Sequence, residues 1–342
     1  MKRNSLVVAG GGTGGHFFCG LAFAQKFLSK YPQSEVTFIG VRRGIEGRFK
    51  FTDKRMKVEF VYALGFKNVG LAQKFSALFA FFIGIFVSGS KLVKIKPRFV
   101  VGVGGYSSAS TMLAAWFLKP FLGFKVYLLE QNSVPGLTNR VLSYFIPAFS
   151  PFPCRGFKSF ELPLRDEVER EAQQARPIQW PPQSLLIIGG SQGATGLNRA
   201  WIRVLEYLKK NHPDLRIVHQ TGEGSFENVR AAYQELQIPA ETFAFSNELS
   251  RYISEADLVI SRAGALSIFE LIAFGRPSVF VPFPGAADNH QFKNAQAVQN
   301  SEWVIPEASL TADALRKVLQ SPRPFIPSQR QKPLTSWRSL LQ

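Results

Sequence analysis

The sequence predicts two α/β domains in tandem, each a parallel sheet flanked by helices. Two observations carry that expectation. First, a short apolar run ends in glycines twice. Ser5-Leu6-Val7-Val8-Ala9 leads into Gly10-Gly11-Gly12-Thr13-Gly14-Gly15-His16, and Ser184-Leu185-Leu186-Ile187-Ile188 leads into Gly189-Gly190-Ser191-Gln192-Gly193. An uninterrupted apolar run suits a strand buried on both faces. The glycines after it permit positive φ and a close approach to the backbone. A helix opening just beyond such a turn exposes unpaired N–H groups and partial positive charge, a ready anion site. Second, strands alternate with helices in both halves, the pattern of doubly wound sheets. One such turn is unspecific; two, each opening one half, predict paired domains facing each other across a cleft.

In the first half, strands are expected at Leu6–Ala9, Val36–Ile39, Val58–Tyr62, Phe99–Val103 and Lys125–Glu130, and helices at Phe17–Leu28, Leu71–Val87 and Ala109–Phe117. Pro147, Pro151, Pro153 and Pro163 then punctuate the chain, followed by the polar run Asp166–Arg176 and by Pro177, Pro181 and Pro182. The hinge is therefore expected between Leu162 and Pro182. Past it, strands are expected at Leu185–Ile188, Arg216–Gln220, Thr242–Phe245, Leu258–Ile260 and Ser278–Val281. Helices are expected at Leu197–Lys209, Phe226–Leu236, Leu249–Glu255, Ala265–Phe274, Asn289–Gln299 and Ala312–Leu319. The domains expected are 1–165, 166–325 and a tail, 326–342, packing back on the first domain.

A 342-residue chain that is 46% hydrophobic is globular and long enough for two cores. Cys19 and Cys154 are too few for a disulfide framework, no CxxC pair points to a metal, and buried thiols are expected. Strand 1 begins within four residues of Met1, so no signal peptide is expected. The net charge of +17 is uneven: through Arg165, 23 Lys and Arg face 6 Asp and Glu, whereas from Asp166 onward 18 face 18. Such a field attracts polyanions. Within the basic half, Phe75–Ser90 is sixteen uncharged residues rich in phenylalanine, bracketed by Lys74 and Lys91 and flanked by Lys67, Lys94 and Lys96. It is shorter than the roughly 20 residues a spanning helix needs. Its composition suits a helix lying on an anionic membrane surface, with a buried core helix as the alternative. Nucleic acid is not expected, since no recognition helix, RNP-like segment or zinc finger accompanies the charge.

The most specific segment reads Ser261-Arg262-Ala263-Gly264-Ala265-Leu266-Ser267-Ile268-Phe269-Glu270, then Gly275-Arg276-Pro277 and Asp288-Asn289-His290-Gln291-Phe292-Lys293-Asn294. Gly264 opens a helix without blocking an approaching phosphate. Glu270 places a carboxylate where it can accept from two vicinal hydroxyls. Gln291 and Asn294, i and i+3 on the next helix, offer amides to one face.

Gly10–His16, Gly102-Val103-Gly104-Gly105-Tyr106, Glu130-Gln131-Asn132, Gly189–Gly193 and Ser261–Asn294, in that order, resemble the MurG glycosyltransferase family. The resemblance implies a glycosyltransferase-B fold of two Rossmann-like domains and transfer of N-acetylglucosamine from UDP-N-acetylglucosamine to undecaprenyl-pyrophosphoryl-N-acetylmuramoyl-pentapeptide. It implies donor contacts from Thr13, Gly14, Gly15, Asn132, Arg165, Ser191, Ser246, the helix Ala265, Leu266, Ser267, Ile268, Phe269 and Glu270, and from Gln291 and Asn294. It implies acceptor contacts at Gly104, Gly105 and Tyr106. By the same analogy His16 is the candidate general base, with Glu130, at a strand's carboxyl end, a second candidate. A peripheral enzyme at the cytoplasmic face of the bacterial inner membrane is expected. No Asp-x-Asp motif occurs, so helix N-termini are expected to stabilise the leaving UDP, with neither metal nor cofactor required. Ser107-Ser108-Ala109-Ser110 stands where the family usually has Val-Ser-Gly-Pro, and Asp288-Asn289-His290-Gln291 replaces a more usual glutamine pair.

Three other readings share these residues. Gly10-x-Gly12-x-x-Gly15 with Arg42 and Arg43 also fits an NADP-dependent Rossmann oxidoreductase, which leaves the second glycine turn and the Gly264–Asn294 block without a role. The others are a related glycosyltransferase acting on a diacylglycerol lipid and a non-catalytic membrane-binding relative.

Overall fold

The computed structural model describes residues 4–12, 14–63, 71–189, 193–246, 248–328 and 335–342. The chain divides into two compact units, Met1–Asp166 with Gln331–Gln342, and Glu167–Arg330.

The first unit is a seven-stranded parallel sheet. Its strands are β1 (Ser5–Ala9), β2 (Glu35–Gly40), β3 (Met56–Phe60), β4 (Phe99–Gly102), β5 (Lys125–Leu129), β6 (Ala148–Ser150) and β7 (Lys158–Ser159), in the order β3-β2-β1-β4-β5-β6-β7. Helices α1 (Gly14–Lys30), α2 (Leu71–Ile95), α3 (Tyr106–Leu122) and α4 (Leu137–Leu142) connect them. β1 is wholly buried, and Val7, Ala9, Val100, Met112 and Leu128 share one core cluster. The strand order reverses between β1 and β4, which pair from Leu6↔Phe99 to Ala9↔Gly102. In doubly wound sheets a crevice opens beyond the strand ends at such a reversal. Both glycine turns of this unit lie there.

The second unit repeats the plan with five parallel strands: β8 (Ser184–Ile188), β9 (Arg216–Gln220), β10 (Ala240–Phe243), β11 (Leu258–Ser261) and β12 (Ser278–Phe280), in the order β10-β9-β8-β11-β12. Its helices include α6 (Thr195–Ile202), α7 (Leu205–Asn211), α8 (Phe226–Glu235), α9 (Leu249–Glu255), α10 (Ala265–Ala273), α11 (His290–Val298) and α12 (Ala312–Leu319). Here the order reverses between β8 and β11, so the turns after Ile188 and Ser261 flank the crevice. A polar seam crosses this core. His219 Nε2 lies 3.1 Å from Asn198 Oδ1, His219 Nδ1 lies 3.1 Å from the Tyr233 hydroxyl, and that hydroxyl accepts Trp201 Nε1–H at 2.6 Å. Burial pushes the His219 pKa down to about 3.

Several local expectations need correction. The polar run after Arg165 begins with a helix, α5 (Asp166–Gln173), whose one buried residue is Val168. The helix expected at Leu197–Lys209 is two, broken where Val204 takes φ −103° and ψ 0°. β10 lies two residues earlier than expected, and α2 runs on to Ile95. The connecting segment is pinned by buried Asp257, which accepts the N–H groups of Gln179, Gln183 and Ser184. The chain then returns to the first unit, where Glu161 N–H donates to Thr335 O at 3.1 Å and Tyr31 donates to Leu341 O.

α2 is, among the described residues, the one helix long and apolar enough to cross a membrane, over Ser76–Ile95. It is also a packed helix of the first unit. Ala77, Ala80 and Leu92 are buried, and Ser88 hydrogen-bonds Thr111 of α3 at 2.9 Å. Its outer face leaves Phe79, Phe82 and Phe86 in solvent, Phe86 at 78% exposure. Phe117 and Phe121 of α3, which packs on α2, and Leu137 and Val141 of α4, which packs on α3, with Tyr144 just after it, add further exposed apolar surface.

Candidate active site

In the first unit, the loop after β1 runs through Gly10, Gly11 and Gly12 at φ +129°, +153° and +79° into α1. Thr13 lies outside the described residues. Close approach explains Gly10: a Cβ there would lie 2.6 Å from Gly104 O. The two glycine turns thus touch backbone to backbone. His16, in the first turn of α1, lies against the same place: a Cβ on Gly104 would come within 3.1 Å of His16 Cδ2, and one on Gly105 within 3.6 Å of His16 Nδ1. Tyr106, the first residue of α3, brings its ring edge to 3.9 Å from where a Gly12 Cβ would be. Gly10, Gly12, His16, Gly104, Gly105 and Tyr106 therefore form one cluster at the β1/β4 reversal, while Gly14 and Gly15 open α1 and the space beside a Gly15 Cβ is open.

Glu130 follows β5 and is 1% exposed. Its Oε1 accepts from Asn132 N and Nδ2 at 3.0 and 3.2 Å, and its Oε2 from Gly136 N and Asn139 Nδ2, both at 3.0 Å. A buried carboxylate with four donors is placed to organise the loop that follows β5. Asn132 is correspondingly tied to Glu130. Asn139, which the sequence does not single out, links Glu130 to the Gly104–Gly105 turn: a Cβ on Gly104 would lie 3.1 Å from its Nδ2. Gln131 Nε2–H joins the ends of β5 and β4 by donating to Val103 O at 2.9 Å. The Arg165 guanidinium lies over the Phe18 ring of α1, 5.2 Å from its centroid. Burial pushes the Cys19 thiol up to about 12, which removes it as a nucleophile.

In the second unit Ser191 lies outside the described residues. A Cβ on Gly193 would sit 2.8 Å from Thr221 O. After β11, Gly264 caps α10 with ordinary extended backbone. The side chains of Ala265, Ile268 and Phe269 are buried in the domain, so they contribute helix backbone, while Leu266, Ser267 and Glu270 are half-buried. α10 ends in a Schellman turn: Gly275 takes φ +61°, and Arg276 N–H donates to Leu271 O at 3.0 Å. The open pair of amides needs correction. Asn294 is fully buried and donates to Ala263 O at 3.3 Å, fastening α11 to the turn before α10. Gln291 is half-buried, and its Oε1 accepts Phe283 N–H at 2.9 Å. The Ser246 hydroxyl accepts Glu248 N–H at 2.9 Å, so its side chain serves a local turn. Arg262, also not singled out by sequence, donates to Val281 O and Pro282 O, pairs with Glu307 and lies beneath Phe283.

Residues 6–149 match the glycosyltransferase family 28 N-terminal domain, and residues 184–336 match the family 28 C-terminal domain. A UDP-N-acetylglucosamine–N-acetylmuramyl-(pentapeptide) pyrophosphoryl-undecaprenol N-acetylglucosamine transferase from Citrifermentans bemidjiense is 38% identical over 92% of this chain and 90% of its own. The chain belongs to the MurG family. A transferase of the same name from Myxococcus xanthus is 34% identical over 92% of this chain and 83% of its own. The crystal structure of Acinetobacter baumannii MurG superposes with a TM-score of 0.69 at 27% identity, covering 93% of this chain and 90% of that one. A UDP-GlcNAc 2-epimerase from Neisseria meningitidis shares the fold at 14% identity, with a TM-score of 0.58 and coverage of 94% and 92%. Family membership sets aside the oxidoreductase reading; Arg42, offered there for a 2′-phosphate, stacks over Phe60 at 5.2 Å.

Proposed function

We infer that this protein transfers N-acetylglucosamine from UDP-N-acetylglucosamine to undecaprenyl-pyrophosphoryl-N-acetylmuramoyl-pentapeptide, building the lipid-linked peptidoglycan precursor. One observation carries this reading beyond the family match: in each unit, the motifs of the family flank the point where strand order reverses. Ligands of doubly wound sheets bind at that point.

The first unit takes the acceptor, its pyrophosphate lying against the Gly10–Gly15 and Gly104–Gly105 turns. His16 removes the proton of the attacking sugar hydroxyl, Tyr106 and Asn132 orient the sugars, and Glu130 positions Asn132. The second unit takes the donor. Glu270 accepts from the ribose hydroxyls, Gln291 reads the hexosamine, and the N–H groups opening α10, with the Ser191 turn, stabilise the diphosphate. The acceptor oxygen bonds to the anomeric carbon as the bond to the UDP oxygen breaks, and the proton passes to His16. This single displacement inverts the anomeric centre and needs no covalent enzyme intermediate.

The apolar outer faces of α2, α3 and α4, with the excess lysine and arginine of the same unit, hold the enzyme peripherally at the anionic cytoplasmic face of the membrane that carries its acceptor. Calorimetry with UDP-N-acetylglucosamine and NADPH tests the donor assignment: heat from the nucleotide sugar and none from NADPH is expected, and the opposite pattern overturns it.

A further inference from the structure

We propose that Glu46 is a positioning residue for transfer, clamping the first glycine loop so that His16 stays seated against the Gly104–Gly105 turn; this rests on the transferase reading above. Glu46 sits in a 3-10 turn at Ile45–Gly47 after β2 and is 1% exposed. Its Oε2 accepts Gly12 N–H at 2.9 Å, and its Oε1 accepts Val41 N–H at 2.8 Å. A buried carboxylate is tolerated only when hydrogen-bonded, so displacing it leaves those two N–H groups unpaired as well.

The surroundings are shaped to hold it. A Cβ at Gly11, Gly40 or Gly44 would lie 2.4 to 2.5 Å from the nearest carboxylate atom. Gly44 has φ −78° and ψ 177°, a backbone any residue adopts, so glycine is required there by the space the carboxylate occupies. The opposite side of the loop meets the second turn: a Cβ at Gly105 would lie 3.2 Å from Gly11 O. The loop is thus held between Glu46 and Gly104–Gly105. Gly12 N–H faces inward to Glu46, and α1 with His16 follows directly. Freed on the Glu46 side, the loop can shift and carry His16 with it.

The test compares full-length wild type, Glu46→Ala, Gly44→Ala and the double variant. It measures kcat and KM on a short-chain lipid-linked acceptor analogue, UDP affinity by calorimetry, and melting temperature. Misplacement of a catalytic group by about 1 Å can cost on the order of 10²-fold, so Glu46→Ala and Gly44→Ala are expected to lower kcat about 10- to 100-fold, with UDP affinity unchanged. The double variant should be no slower than Glu46→Ala, because the added methyl group then has room. A Gly44→Ala enzyme with wild-type kcat, losses that multiply in the double variant, or a lowered melting temperature with unchanged kcat would each overturn the proposal. Should Glu46→Ala not fold, Gly44→Ala alone decides by the same criterion. Failure of the transferase reading shows differently, as wild type that transfers nothing.

Discussion

The two glycine turns are nearly the same in sequence and are supported in different ways. In the first unit, the loop rests on Glu46, whose carboxylate accepts from backbone N–H groups. In the second, the nearest comparable carboxylate is Glu307, which is half-buried, lies against Gly196 of α6 beyond the turn, and pairs with Arg262 instead of accepting from the turn's described N–H groups. The surroundings diverge further. All of the +17 net charge falls in residues up to Arg165, the half that also carries the exposed phenylalanines of α2 and α3. The lesson is that a shared glycine-turn plan leaves the ligand class to the periphery. A basic, greasy surround suits an anion carried by lipid, and a charge-balanced one suits a soluble nucleotide.

The largest effects come from separating the two sites kinetically. His16→Ala should lower kcat by about 10²–10⁴-fold and leave UDP affinity intact, the loss expected of a general base. Glu270→Ala should weaken UDP-N-acetylglucosamine binding about 10- to 100-fold with a smaller change in kcat, since a hydrogen bond to a charged group contributes about 1.5–3 kcal/mol. Steady-state kinetics with donor titrations checks both, and exchanged phenotypes would erase the division of labour.

A smaller effect separates the cores. The folded pKa of His219, near 3, lies below its ordinary 6.5, so between those values the unfolded chain binds the proton and the folded one does not. Stability is therefore full above pH 6.5 and falls on acidification by up to about 1.4 kcal/mol per pH unit, roughly 2 kcal/mol by pH 5. Urea melts at pH 7 and pH 5 should show that loss in wild type and a flattened slope in His219→Gln. The smallest effect concerns the periphery. Phe86→Ser should weaken binding to anionic vesicles about tenfold, the scale of burying part of one phenylalanine. Ile326→Ser, an exposed apolar position of the second unit, should not change it.

The strands were legible because Leu6–Ala9, Leu185–Ile188 and Leu258–Ile260 are apolar without interruption, as a sheet covered on both faces requires. α4, β6 and β7 were not, being short and set among prolines, and α5 has one buried residue and so no apolar stripe to read. In the site, glycines and His16 were visible as a motif, since their chemistry is local. Glu46 was not: it acts on Gly12, 34 residues earlier, and looks in sequence like one acid in a basic loop. Asn294 misled for the same reason, because helical spacing gives a face but not whether that face is buried against Ala263.

Transfer of radiolabelled N-acetylglucosamine from UDP-N-acetylglucosamine to a short-chain analogue of the lipid-linked acceptor tests the central claim most directly. Purified wild type should give labelled disaccharide product with the inverted anomeric configuration, and His16→Ala should give almost none. Well-folded wild type that binds UDP yet leaves the acceptor unlabelled would contradict it.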